Sequence, residues 1–141
     1  MRLLIADDES PLRAWLKRLL AQIAPDVEIV AEAGDGATAL AEIERLRPDA
    51  AFLDIRMPGL SGLEVASRLA VPCRVAFVTA YDEFAVQAFE NAALDYLLKP
   101  VTAERLAVTM QRLRTALPPQ NDPAALAREL LAQLAARPAT P

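Results

Sequence analysis

The sequence predicts a doubly wound α/β domain: a five-stranded parallel sheet with helices on both faces. Three observations carry this. Short apolar runs alternate with segments of helical periodicity five times in succession. The runs are apolar throughout, as in strands covered on both faces, and do not alternate with polar residues. Parallel strands joined through helices need right-handed crossovers, which wind the helices onto both sides of one sheet.

The first strand is Leu3-Leu4-Ile5-Ala6, which stops at Asp7-Asp8. Leu12, Leu16, Leu19, Leu20 and Ile23 then recur at helical spacing, with Pro11 tolerated in a first turn. The second strand is expected over 27–31. A helix over about 35–46 closes ahead of Pro48, because the residue before a proline disfavours helix. Ala50-Ala51-Phe52-Leu53 is the third strand and ends at Asp54. Pro58-Gly59 and Gly62 mark a loop, and Leu63, Val65, Ala66 and Leu69 a third helix. A strand over 75–78 ends at Thr79 and leads to an Ala-rich helix over about 83–92. The fifth strand, 95–98, ends at Lys99-Pro100 and leads to a helix over about 103–116.

Residues 1–117 therefore form one domain. Pro118-Pro119-Gln120-Asn121-Asp122-Pro123 is a linker by composition. Residues 124–141 hold a short amphipathic helix, with Leu126, Leu130, Leu131 and Leu134 on one stripe, and a tail. That helix is expected to begin a linker to a further domain, the other reading being a self-association element.

Composition excludes much chemistry. The 141 residues contain no histidine and one cysteine, so there is no Ser-His-Asp or Cys-His pair, no HExxH zinc site and no internal disulfide. Cys73 alone supplies too few thiolates for a structural zinc site. The 4 glycines form neither GxxxxGK nor GxGxxG. A net charge of −4 argues against nucleic-acid binding through a basic face. No signal segment is read at the start, and no apolar run approaches the ~20 residues of a membrane span. A cytoplasmic location with no membrane partner is expected.

The polar residues then stand out by position. Open parallel sheets place their sites outside the carboxyl ends of the strands. Asp7 and Asp8 follow strand one, Asp54 strand three, Thr79 strand four and Lys99 strand five. Singly, each has a commonplace reading as helix cap, turn residue or surface lysine. Together, three carboxylates, a hydroxyl and an amine converge on one edge. Three ionised carboxylates repel, and one lysine offsets only part of that. A divalent cation would neutralise the rest, and a carboxylate site without His or thiolate favours Mg²⁺. A carboxylate beside such a metal can act as a nucleophile forming an aspartyl-phosphate, with Lys99 and Thr79 receiving phosphoryl oxygens.

Four segments, in order and on the matching elements, resemble the receiver domain of two-component response regulators over residues 1–117. They are Leu4-Ile5-Ala6-Asp7-Asp8-Glu9, Leu53-Asp54-Ile55-Arg56-Met57-Pro58-Gly59-Leu60-Ser61-Gly62, Val78-Thr79-Ala80 and Asp95-Tyr96-Leu97-Leu98-Lys99-Pro100. The resemblance implies a flavodoxin-like strand order 2-1-3-4-5. It implies Asp54 as phosphoacceptor, Asp7 and Asp8 as the acidic pair placing Mg²⁺, and the Arg56 backbone carbonyl as a further ligand. It also implies Thr79 as switch hydroxyl, Lys99 as phosphate-contacting lysine, Tyr96 as the aromatic that turns inward, and a cis Lys99–Pro100 bond. The phosphoryl donor would be a partner sensor histidine kinase, and a homodimer would form through the helix over 83–92, the fifth strand and the following helix. Self-phosphorylation and self-dephosphorylation place such a domain between enzyme and signalling protein.

Residues 79–86 and 93–100 are similar to the LytTR subfamily, whose members carry a DNA-binding domain after the receiver. DNA would be reached only through that output domain, which this chain is too short to include. The first alternative is a stand-alone or phosphorylation-independent receiver acting by protein–protein binding. A small Asp-nucleophile hydrolase would show a second Asp where Arg56 stands, and a flavin-binding domain would need a Ser/Thr-rich loop where Asp7-Asp8-Glu9 stands.

Overall fold

A computed structural model describes residues 1–80 and 95–115. In chain order the elements are β1 (Arg2–Ala6), α1 (Ser10–Ile23), β2 (Glu28–Ala33), α2 (Gly36–Leu46), β3 (Ala50–Asp54), α3 (Gly62–Arg68), β4 (Arg74–Thr79), β5 (Asp95–Leu98) and α4 (Ala103–Thr115). The helix expected over about 83–92 lies outside the described residues. So do the linker over 118–123 and the segment over 124–141.

The five strands form one parallel sheet in the order β2-β1-β3-β4-β5. Alternate side chains of each strand point to opposite faces. Leu4, Ala6, Ala51, Leu53, Val75 and Phe77 face one side, against Ala39 and Ile43 of α2 and Leu63, Val65 and Ala66 of α3. Leu3, Ile5, Ala50, Phe52, Ala76, Val78 and Leu97 face the other, against Leu16, Leu19 and Leu20 of α1 and Leu106, Met110 and Leu113 of α4. Two layers of helix thus cover the sheet, and the three inner strands are apolar on both faces for that reason.

β2 departs from the expected span of 27–31, because it runs on to Ala33. It is an edge strand, half-exposed along most of its length, so the apolar-run criterion fails where charged Glu32 intervenes. Its last residues matter to the site: Ala33 pairs with Ala6, and the Ala33 carbonyl accepts the Asp7 N–H at 2.9 Å.

Local chemistry sets the helix ends. Pro11 sits in the first turn of α1. Asp35 caps α2 by accepting the Thr38 N–H at 2.7 Å. Ser61 and Glu64 form a reciprocal capping box on α3. The α4 end is tied down twice. Arg74 donates to the Leu113 carbonyl at 2.7 Å, and Arg114 makes a two-pronged pair with Asp26 at 2.8 and 2.9 Å. Trp15 of α1 donates its indole N–H to the Val101 carbonyl at 2.8 Å, joining α1 to the connection after β5. Among the described residues, no helix is long and apolar enough to cross a membrane.

Candidate functional site

The strand register gathers the polar residues. Ala6 pairs with Leu53, Asp54 with Val78 and Thr79 with Leu98, so the carboxyl ends of β1, β3, β4 and β5 share one edge. Asp7 follows β1, Asp54 closes β3, Thr79 closes β4 and Lys99 follows β5.

Lys99 is the centre of the cluster. Its ammonium donates to Asp54 Oδ2 at 3.1 Å and lies 3.2 Å from Asp7 Oδ2 and 3.5 Å from Glu9 Oε2. With a side chain only 15% exposed, it is no ordinary surface lysine. The commonplace readings of the carboxylates fail in part as well. Glu9 is the N-cap of α1 yet its side chain makes no cap hydrogen bond. Asp7 Oδ1 accepts the Glu9 N–H at 2.9 Å, which fixes the turn and leaves Oδ2 for Lys99. Asp54 Oδ1 does make the local turn contact, accepting the Arg56 N–H at 3.2 Å, while its other oxygen faces Lys99.

Asp7 and Asp54 are 1% and 4% exposed, whereas Asp8 is exposed. Burial is the main influence on Asp54 and pushes its carboxyl above the usual range. The Lys99 hydrogen bond opposes that shift, and the charge of Asp7 adds to it. Burial alone would lower Lys99, but the hydrogen bond and charge of Asp54, with Asp7 behind them, hold its ammonium above the ordinary value. The pair is an ionised lysine facing carboxylates that lack enough positive charge.

The donor set fits a hard divalent cation. One oxygen each from Asp7, Asp8 and Asp54 lies within 4.8 Å of the other two. Asp7 Oδ2 is buried and receives no hydrogen bond, its contact with Lys99 lying off the hydrogen-bonding direction. Oxygen-only ligands with room for further oxygens suit Mg²⁺.

The remaining residues singled out from the sequence are distributed around this centre. Arg56, whose N–H meets Asp54 Oδ1, has an exposed side chain. Thr79 contributes the last rung of β4, pairing with Leu98. Tyr96 lies on β5, half-buried, with the Arg105 guanidinium 5.3 Å from its ring centroid and donating to its carbonyl at 2.7 Å. The Lys99–Pro100 bond is cis.

One contributor was read from sequence only as a loop marker. Gly62 opens α3 directly against the Asp54 backbone: a Cβ there would collide with the Asp54 carbonyl oxygen and come within 2.9 Å of its carbon. Gly62 also donates its N–H to the Ile55 carbonyl at 3.0 Å. The glycine lets α3 pack onto the end of β3, so it sets where Asp54 stands. A Pro-Gly-rich loop gives no sign of that approach.

Comparison with known proteins is consistent with this geometry. The response regulator receiver domain family matches residues 3–111. An uncharacterized response regulatory protein of Vibrio cholerae is 52% identical over 130 residues, covering 86% of this chain and 49% of that protein. The transcriptional regulatory protein BtsR of Escherichia coli is 45% identical over 116 residues, covering 81% of this chain and 48% of that protein. The chain spans about half the length of these curated relatives. Among solved structures, the response regulatory domain of the mrkE protein from Klebsiella pneumoniae superposes with a TM-score of 0.70 at 37% identity, over 82% of this chain and 97% of that one.

Proposed function

Since the chain belongs to the response regulator receiver domain family, we propose that it is switched by phosphorylation of Asp54, the phosphoryl group coming from a histidine on a partner kinase. The observation that supports this most is the Lys99 ammonium bridging the buried Asp7 and Asp54 carboxylates beside exposed Asp8. Asp54 Oδ attacks phosphorus, the phosphorus–nitrogen bond to the donor imidazole breaks, and its electron pair stays with the departing nitrogen. Asp7, Asp8, Asp54 and the Arg56 carbonyl would hold Mg²⁺, which supplies charge neutralisation between the carboxylates and the incoming phosphoryl oxygens. Lys99 exchanges one carboxylate contact for a phosphoryl oxygen, and the Thr79 hydroxyl takes another. Withdrawal of Thr79 toward the phosphoryl group lets Tyr96 turn inward. The absence of histidine accords with a donor on a second protein.

The test is direct. The chain is incubated with acetyl phosphate and Mg²⁺ and weighed by mass spectrometry. Wild type gains one phosphoryl group and Asp54→Asn gains none. No gain on wild type, or gain retained in the variant, would overturn the assignment in favour of a receiver working by binding alone.

The regulated output rests on the relatives. Those named transcriptional regulators support control of transcription by the whole protein, and the segments 79–86 and 93–100 support a LytTR-type DNA-binding domain as its output. β5 and α4 then form part of a face on which two receivers meet when phosphorylated. Sedimentation with and without a phosphate mimic tests that: an unchanged monomer–dimer equilibrium excludes it.

A further inference from the structure

Asp7 and Asp8 sit on a three-residue connection between β1 and α1, and the two differ in how they are held. Asp7 is fixed through its N–H to Ala33, through Oδ1 to the Glu9 N–H and by its ion pair with Lys99. Asp8 is exposed, and among the described residues its carboxylate has no hydrogen bond or ion pair. No partner among the described residues holds that carboxylate, so what the fold sets is the direction of the Asp8 Cα–Cβ bond, through the backbone.

Two side chains restrain that backbone: Asp7 Oδ1 holds the Glu9 N–H on its far side, and Arg13 holds its near side. Arg13, one turn into α1, donates from Nη1 to the Asp7 carbonyl oxygen at 2.6 Å. The Asp7 carbonyl and the Asp8 N–H belong to the same planar peptide unit. Holding the oxygen restrains the plane, and the plane, together with the Asp8 φ angle that the Asp7–Glu9 turn restrains, sets the direction in which Asp8 leaves the chain. Arg13 is itself anchored, because its Nε donates to Glu32 Oε1 at 3.3 Å while Glu32 Oε2 holds Lys17 at 2.8 Å. Glu32 neighbours Ala33, whose carbonyl takes the Asp7 N–H. The guanidinium fork thus ties α1 to β2 and clamps the acidic turn between them. Its side chain is 21% exposed, and Glu32 neutralises much of its charge.

We infer that Arg13 is a positioning residue for the metal-binding pair, orienting Asp8 toward the cation through the Asp7–Asp8 peptide. The inference rests on the reading of Asp7 and Asp8 as Mg²⁺ ligands. Charge and orientation predict opposite signs. Loss of a positive charge beside an acidic cluster would tighten cation binding, whereas loss of the clamp loosens it. Only a forked group reaches both the carbonyl and Glu32 at once, so lysine does not substitute.

Calorimetric titration of the full chain with Mg²⁺, under strongly native conditions where global stability does not enter, tests it. Arg13→Gln is expected to weaken Mg²⁺ binding about tenfold, the scale found when a ligand's supporting partner is removed. Glu32→Gln weakens it by a smaller factor and adds nothing in the Arg13→Gln background. Arg13→Lys, which keeps charge and stem should the glutamine variant fail to fold, also binds more weakly than wild type. Unchanged or tighter binding in Arg13→Gln, or wild-type affinity in Arg13→Lys, overturns the positioning role. Failure of wild type to bind Mg²⁺, or wild-type affinity in Asp8→Asn, would instead overturn the metal reading beneath it.

Discussion

Lys99 reaches Asp54 across 45 residues of sequence, its ammonium 3.1 Å from Oδ2 of a carboxylate that is almost fully buried. The same ammonium serves Asp7, so one lysine stands between two buried carboxylates that would otherwise repel.

Lys99→Ala should therefore be destabilised by about 3 kcal/mol in chelator, the scale for stripping a buried ion of its partner. On the proposed reading Mg²⁺ would bind the folded chain and not the unfolded one, so it should recover more stability in the variant than in wild type. Urea unfolding with and without Mg²⁺ measures both. A variant as stable as wild type in chelator would show that the ammonium is not the neutralising charge.

Gly62→Ala forces a methyl into the Asp54 backbone. A cost of about 1–3 kcal/mol is expected for such overpacking, together with slower phosphorylation from acetyl phosphate as Asp54 shifts. Denaturant midpoints and phosphorylation rates check the two effects. A neutral Gly62→Ala would mean that α3 moves aside freely and that Asp54 is positioned by its own strand.

Asp95 supplies the pH dependence. Burial pushes its carboxyl up, but hydrogen bonds from Arg105, Thr109 and the Tyr96 N–H, with the charge of Arg105, outweigh it and hold the group below its ordinary value. Arg112 adds a second ion pair at 2.8 Å. A depressed carboxylate contributes stability that is present above its unfolded value of ~3.9 and is lost as pH falls through the lower folded one. Asp95→Asn should be less stable than wild type at pH 7 by about 1–2 kcal/mol, since the two arginines it leaves stay in contact with solvent, and the gap should narrow below about pH 4. Unfolding free energies that differ equally at both pH values would contradict the ionic account.

Cys73 is buried, and that burial, with the charge of Asp49, pushes its thiol up to about 12. The thiolate is the reactive form, so iodoacetamide at pH 8 should modify the folded chain far more slowly than the urea-unfolded chain. Equal rates would show that β4 opens readily at its start.

Arg56 stands two residues after Asp54, the proposed phosphoacceptor, its N–H on Asp54 Oδ1 and its side chain exposed. Charge that stabilises a phosphoryl group should prolong it, so Arg56→Ala should lose phosphate several-fold faster, each tenfold being ~1.4 kcal/mol of barrier. An unchanged decay of the phosphorylated species would remove Arg56 from that role.

Much of this centre was legible before any coordinates. Asp54 and Lys99 end apolar runs, and a parallel sheet brings such ends to a single edge whatever the details of packing. What lay beyond reach depends on tertiary distance. Nothing in Asp7-Asp8 says which carboxylate turns inward, since the hydrogen bond from the Asp7 N–H to Ala33 decides it. The extension of β2 through Glu32 was hidden because an edge strand tolerates charge. Arg13 and Gly62 look like an ordinary helix surface residue and an ordinary loop glycine. Their importance comes from what folding sets against them: a carbonyl oxygen in one case, a strand end in the other.

Trp15 is the single tryptophan of the chain, and its indole is bonded to Val101, two residues beyond Lys99. Indole emission responds to its hydrogen bonding. The molecule thus carries a built-in optical gauge on the connection that bears its central lysine. Displacement of that connection on loading the acidic edge can be followed in real time with no dye and no label.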